Sequence, residues 1–271
     1  MKLSAWRLRA KLICVEDPES QQPASPLWLE SVNTQQADSL DALTQILPGG
    51  AYTTLRTFGG NRVLHLEDHF KRLENTAAIV DKPLQLHRDR LRQAMMVALC
   101  LAHSLYPQID SEAEQPETLR RESQDQSPIL VTPELIKELR SQSDWAYGDF
   151  RLRLTLDLQD KTGDLYLAYQ PLTVPSREAY QNGVTVMTYP MHRWLPKAKL
   201  TRFIQRSGGV RQAMLPGIHE TIMVDESGDV LEGLSSNFFA IMDGEIWTAE
   251  EGVLSGITRS LVLDGIKKLK M

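Results

Sequence analysis

An acid stands in this chain where an acid is hardest to keep. In LEGLSSNFFAIMDGEIWTAEEGVLSGIT (231–258), Glu232 lies just ahead of a run that reads as buried strand. Burying a carboxylate is costly unless a cation faces it, so Glu232 calls for a cationic partner. At the far end of the segment, Gly256, Ile257 and Thr258 open the last helical pattern. The unpaired N–H groups of a helix start, with the Thr258 hydroxyl, form a place for an anion. Upstream, PKAKLTRF offers two amines, Lys197 and Lys199, where a strand passes into a helix, and HFKRL offers the guanidinium of Arg72. An arginine can grip an anion through two parallel N–H groups. One amine, one acid, one arginine and one helix start are the parts of a site that holds an anionic group beside a reactive nitrogen. Taken singly, each has a plainer reading: solvated loop lysines, an edge-strand glutamate, a surface-helix arginine.

Other chemistries lack their parts. Neither G-x-G-x-x-G nor G-x-x-x-x-G-K-[ST] occurs, which leaves nucleotide binding unsupported, and the G-x-S-x-G turn of serine hydrolases is missing. HLEDH (65–69) spaces two histidines four apart, a metal-binding spacing on a helix. His65, however, falls in the strand-like run before the helix, so the expectation is a solvated helix start and no metal. The 271 residues are 42% hydrophobic and 24% charged, with a formal net charge of −5. That balance suits a soluble globular chain and argues against a nucleic-acid surface. No apolar run approaches the ~20 residues of a bilayer span, and the N-terminal apolar stretches are too interrupted for a signal peptide. Two cysteines, Cys14 and Cys100, are too few for a disulfide scaffold and suit a reducing cytoplasm.

The elements that must position these residues fall into three regions. AYTTLRTFGGNRVLHL reads as two strands joined at Gly59-Gly60. EDHFKRLENTAAIV follows with Phe70, Leu73, Ala77 and Ile79 near helical spacing, and Arg90 to Leu101 reads as a second helix with an apolar face. From 103 to 144 the composition turns polar, and the segment reads as an exposed insertion. Within it, TPELIKELRSQS carries the signature of a helix with Thr132 as N-cap and Pro133 in the first turn. Beyond, DFRLRLTLDL, GDLYLAYQPL and GVTVMTYPM read as strands, and LTRFIQRSGGVRQAML as a helix weakened in its middle by Gly208-Gly209. A strand-turn-strand-turn-strand pattern and a closing helix complete the chain.

The segments YTTLRTFGGNRVLHLEDHFKRLENTA, PKAKLTRF and GDVLEGLSSNFFAIMDGEIWTAEEGVLSGITRSLVL together resemble the fold-type IV, pyridoxal-phosphate-dependent (class IV) aminotransferase family. That family includes branched-chain and D-amino-acid aminotransferases and aminodeoxychorismate lyase. The resemblance runs from about residue 45 to 271, outside the insertion, and implies a mixed α/β (α+β) subunit of two domains. One is a small N-terminal α+β domain over 1–170; the other is a barrel-like cofactor domain over 171–271 that ends earlier than in relatives.

Pyridoxal 5'-phosphate needs an amine that bonds its aldehyde, an acid on its ring nitrogen and a site for its phosphate. The resemblance assigns Lys199 as that amine and as the catalytic base, ahead of Lys197. Its distance of 33 positions from Glu232 matches the family spacing. Glu232 is assigned to the ring nitrogen, Arg72, Ile257 and Thr258 to the phosphate, Ser235 to a further cofactor contact and Tyr52 to the substrate pocket. Asn237 is expected to brace the turn. The implied reaction moves an amino group between a small amino acid and a 2-oxo acid. The alternatives are aminodeoxychorismate lyase, which forms 4-aminobenzoate and pyruvate, and a non-catalytic relative. A cytoplasmic homodimer without nucleic-acid or membrane partners is implied as well. One departure bears on substrate: where branched-chain relatives carry a tyrosine shortly after the lysine, this chain has Arg202, Phe203 and Ile204.

Overall fold

Side chains alternate at every second residue along the N-terminal strands, and both faces of the resulting sheet are apolar. A computed structural model describes residues 3–9, 25–105, 127–141 and 148–269. The chain divides into two compact units, Met1–Leu172 and Thr173–Met271.

The first unit is built on seven strands: β1 (Ser4–Arg9), β2 (Trp28–Ser31), β3 (Gly50–Phe58), β4 (Arg62–Val63), β5 (Ile129–Leu130), β6 (Phe150–Asp157) and β7 (Leu165–Pro171). Their order is β4-β3-β6-β7-β1-β2-β5, and every neighbouring pair is antiparallel. Because successive side chains point to opposite faces, Trp6 and Leu8 of β1 and Leu165, Leu167 and Tyr169 of β7 enter one core. Leu3, Ala5, Tyr166 and Ala168 enter another. The larger core is covered by α2 (Leu66–Ile79) and α3 (Arg88–Leu105), which contribute Phe70, Leu73, Ala77, Leu91, Ala94 and Val97. Leu40 and Leu43 of α1 (Leu40–Ile46) cover the smaller one, and Ser39 caps that helix through its side chain. Each fully buried Leu or Phe of these cores is worth about 1.5–3 kcal/mol. Ile79 breaks the expected face of α2: it lies at the last turn and is exposed.

The Gly59-Gly60 hairpin forms between β3 and β4, with both glycines at positive φ. Asp149 ties it to β6 by accepting from Arg56 Nη2, Thr57 Oγ1 and Gly60 N at 3.0, 3.2 and 3.1 Å. Burial alone would raise its carboxyl; these three donors outweigh that and hold it below its ordinary value.

The described parts of 103–144 are not an exposed insertion. His103 is buried in α3, β5 pairs with β2, and α4 (Pro133–Ser141) buries Ile136 and Leu139 in the larger core. Ile136 and Leu139, one turn apart, dock a segment whose average composition is polar, with Ile129, Val131 and Leu135 packed against the same core. Thr132 Oγ1 accepts from Leu135 N at 3.1 Å, the side-chain cap expected of it. The most polar stretch, 106–126, lies outside the described residues, as does Cys14. Cys100 is a buried free thiol, pushed up to about 12 by burial. No described helix is long and apolar enough to cross a membrane.

The second unit holds α5 (Arg177–Asn182), β8 (Thr185–Pro190), α6 (Thr201–Gln212), β9 (Ile218–Val224), β10 (Val230–Gly233), the hairpin β11 (Ala240–Met242) and β12 (Glu245–Trp247), and α7 (Ile257–Leu269). Strand β9 is central, parallel to β8 and antiparallel to β10. A parallel pair needs a crossover, and here it is the loop 191–200 followed by α6. The helix runs unbroken through Gly208-Gly209, its N-terminal half held by the burial of Phe203, Ile204 and Ser207. Met191, Phe203, Met223, Leu231, Leu234 and Val253 form the core of this unit.

Candidate functional site

The crossover loop carries the lysines. Lys197 is exposed, whereas Lys199 is half-buried and engaged in a contact of its own, just before Leu200 at the N-cap of α6.

Glu232 is 2% exposed in β10, and its cation is Arg193, a residue the sequence did not single out. Arg193 Nε donates to Glu232 Oε1 at 2.5 Å. On the other oxygen, Asn237 Nδ2 donates to Oε2 at 2.8 Å and Leu254 N at 3.1 Å. Asn237 Nδ2 also donates to Leu254 O at 2.9 Å, so it does brace the turn. Three donors leave one lone-pair position on the carboxylate open. The Arg193 guanidinium also lies 3.5 Å from the centroid of the Phe203 ring, a cation–π contact. Its signal in the sequence was faint: an arginine six positions before Lys199, on a strand exit rather than in a recognisable motif.

Gly256 closes the arrangement, since a Cβ there would stand 2.0 Å from Asn237 Oδ1. The first hydrogen bond within α7 runs from Ser260 N to Gly256 O, so the amides of Ile257 and Thr258 precede any intrahelical acceptor. Ile257 is half-buried and Thr258 exposed.

Ser235 is held by a different acid. Glu220, buried in β9, accepts from Ser235 Oγ at 2.5 Å, Ser235 N at 3.2 Å and Ser236 Oγ at 3.2 Å through Oε2, and from Thr221 N at 3.0 Å through Oε1. A Cβ at Gly233 would meet Ser236 Oγ at 2.3 Å, so this loop packs against Glu220 only with glycine there. Glu220 too was missed: HETIMV reads as a plain alternating strand.

The remaining two residues belong to the first unit. Tyr52 is buried in β3 opposite Thr155, with the Arg153 guanidinium 5.0 Å from its ring centroid. Arg72 is half-buried on α2 and makes a contact of its own. The histidines of HLEDH separate, though not into a solvated pair. His65 takes a left-handed φ of 52° at the N-cap of α2 and faces Asp68 at 2.9 Å. His69 is buried, 2.6 Å from Thr53 Oγ1. Among the described residues, no group of three or more His, Cys, Asp or Glu could hold a metal ion.

Within the second unit, then, the crossover loop, Glu232, Asn237 and the turn entering α7 are joined by buried hydrogen bonds. Known proteins share this architecture. The curated branched-chain-amino-acid aminotransferase of Pseudomonas aeruginosa is 36% identical over 93 residues, which cover 32% of this chain and 30% of that protein. A fold IV-transaminase from Curtobacterium pusillum superposes with a TM-score of 0.57 at 17% identity, over 99% of this chain and 79% of the other. The PLP-bound form of a hypothetical aminotransferase from Mycobacterium tuberculosis gives 0.55 at 20% identity, over 98% and 78%. At these identities the structures speak for the fold alone. The amino-transferase class IV family profile matches residues 129–271, more than half of the chain, and the chain therefore belongs to the class IV aminotransferase family.

Proposed function

We propose that this protein is a pyridoxal-phosphate-dependent aminotransferase that exchanges an amino group between a small amino acid and a 2-oxo acid. The observation that carries the reading is the buried Arg193–Glu232 bond, because it ties the strand bearing the acid to the loop bearing Lys199. The residues fit the cofactor on three counts. Glu232 keeps one acceptor position for a ring N–H. The amides of Ile257 and Thr258 stand at the positive end of a helix of 13 residues, suited to a phosphate. Lys199 is half-buried on the loop that Arg193 ties to Glu232.

When bound, the cofactor supplies an electron sink for the substrate's Cα. Lys199 would hold it covalently and would serve as the general base for the Cα proton. Glu232, itself fixed by Arg193, Asn237 and Leu254 N, keeps the ring nitrogen protonated. Ser235 adds a further contact. Relatives named as branched-chain enzymes support the transferase class; Arg202, Phe203 and Ile204 speak for another side chain than theirs. A homodimer is part of the proposal.

The test is a visible spectrum of the protein loaded with pyridoxal phosphate, followed by an assay with alanine and 2-oxoglutarate. Lys199→Ala should abolish the band of covalently bound cofactor and lower transfer by at least ~10²–10⁴-fold, while Lys197→Ala retains both. A band that survives Lys199→Ala refutes the assignment. Pyruvate released from aminodeoxychorismate without any amino transfer would replace the transferase by the lyase.

A further inference from the structure

Ala198 and Leu200, the two neighbours of Lys199, line a cavity of about 270 Å³ in the second unit. Its other walls include Trp194 and Phe203, two aromatic faces, and three arginines: Arg193, Arg202 and Arg206. The charges on these arginines are unequally compensated. Arg193 gives its Nε to Glu232, but its Nη1 is buried and has no hydrogen-bond partner among the described residues. A buried guanidinium N–H left unpaired is costly, and such groups in folded proteins ordinarily find an acceptor. Arg202 and Arg206 are exposed and follow one another four positions apart on α6, where like charges repel. Arg202 is 5.7 Å from the ring centroid of Trp194, which is 71% exposed, and no carboxylate pairs with either arginine among the described residues.

Two guanidinium groups without a carboxylate partner among the described residues and an exposed indole are the chemistry of a binding site for an anion with an apolar body. Guanidinium forks match carboxylates in pairs of parallel N–H···O bonds. The volume is near the lower end of small-molecule sites, enough for a single ring but not for a nucleotide. We infer that this cavity binds a small, flat organic dicarboxylate, its charges met by Arg202 and Arg206 and its ring lying against Trp194. The inference goes beyond the proposed amino transfer, which it does not require. Binding is measured without turnover, so either can fail alone.

Isophthalate serves as the probe, titrated into the protein as purified by isothermal calorimetry. Isophthalamide is its uncharged counterpart, and inorganic phosphate an anion without a ring. Saturable binding of isophthalate is expected, with a Kd at least ~10-fold tighter than for isophthalamide, one charge-assisted hydrogen bond being worth that much or more. Arg202→Gln should weaken it by a similar factor, and Arg202→Gln/Arg206→Gln further, with an unchanged circular dichroism spectrum because both side chains are exposed. Trp194→Ala should weaken isophthalate but leave any phosphate binding as it was. Equal binding of isophthalamide, undiminished binding by the double variant, phosphate bound as tightly as isophthalate, or no saturable heat with isophthalate would each overturn the assignment.

Discussion

Replacing Arg193 by methionine should loosen the second unit locally and by a definite amount. Methionine keeps a long apolar side chain over Phe203 but removes the only cation bonded to Glu232 among the described residues. The acid stays 2% exposed and must then hold its charge on two neutral donors, Asn237 Nδ2 at 2.8 Å and Leu254 N at 3.1 Å. Deleting one partner of a buried pair costs about 3–5 kcal/mol. The two surviving donors place the expectation at the lower end, about 3 kcal/mol, which is a ~10²-fold rise in the opening equilibrium. Hydrogen–deuterium exchange of peptides covering 230–256 reads that equilibrium where the pair lies, and denaturant unfolding followed by tryptophan fluorescence gives the global counterpart. Glu232→Gln should cost a similar amount by stranding Arg193. The double variant Arg193→Met/Glu232→Gln should be more stable than the sum of the two by about 2 kcal/mol, since neither charge is left alone. If Arg193→Met exchanges within ~3-fold of the parent across 230–256, where ~10²-fold is expected, the pair does not hold the acid. Additive single effects would refute the coupling.

Two further perturbations probe the frame. The imidazole of His103 is lowered to about 4 by burial, against a weak bond to Gly60 O and the attraction of Asp149, so the folded state binds its proton less readily than the unfolded chain. Stability is therefore full above the unfolded pKa of ~6.5 and is lost as pH falls from there to about 4, by roughly 3 kcal/mol for this one group; a His103→Leu variant should flatten the unfolding free energy over that window, and an unchanged pH slope would remove His103 as its cause. Gly50→Ala would place a Cβ 1.9 Å from the Leu156 carbonyl oxygen, a backbone atom of the β3–β6 pair that cannot swing aside. A loss of about 3 kcal/mol or more in chemical unfolding is expected, and a loss below ~1 kcal/mol would mean that the two strands separate there without penalty.

Much of this protein was legible in its residues because it depends on near neighbours. Alternation in LYLAYQP and FRLRLTLD follows from the geometry of a single strand, and the Thr132 cap from a side chain reaching three residues along its own backbone. The segment 231–258 declared its family by its local pattern, and Glu232 announced that it needed a cation. Which cation it has was decided only in three dimensions. Arg193 lies 39 positions away and reaches Glu232 because β8, the crossover loop and α6 return the chain beside β9 and β10. The same holds for Glu220 beneath Ser235, for His69 buried against Thr53, and for the docking of 133–141. α6 crosses two glycines that propensity alone would have counted against it, because the burial of one face outweighs about 1 kcal/mol per glycine. Periodicity and caps are set by sterics within a few residues. Charge pairing and burial are set by which distant segments share a core, and no spacing along the chain encodes that.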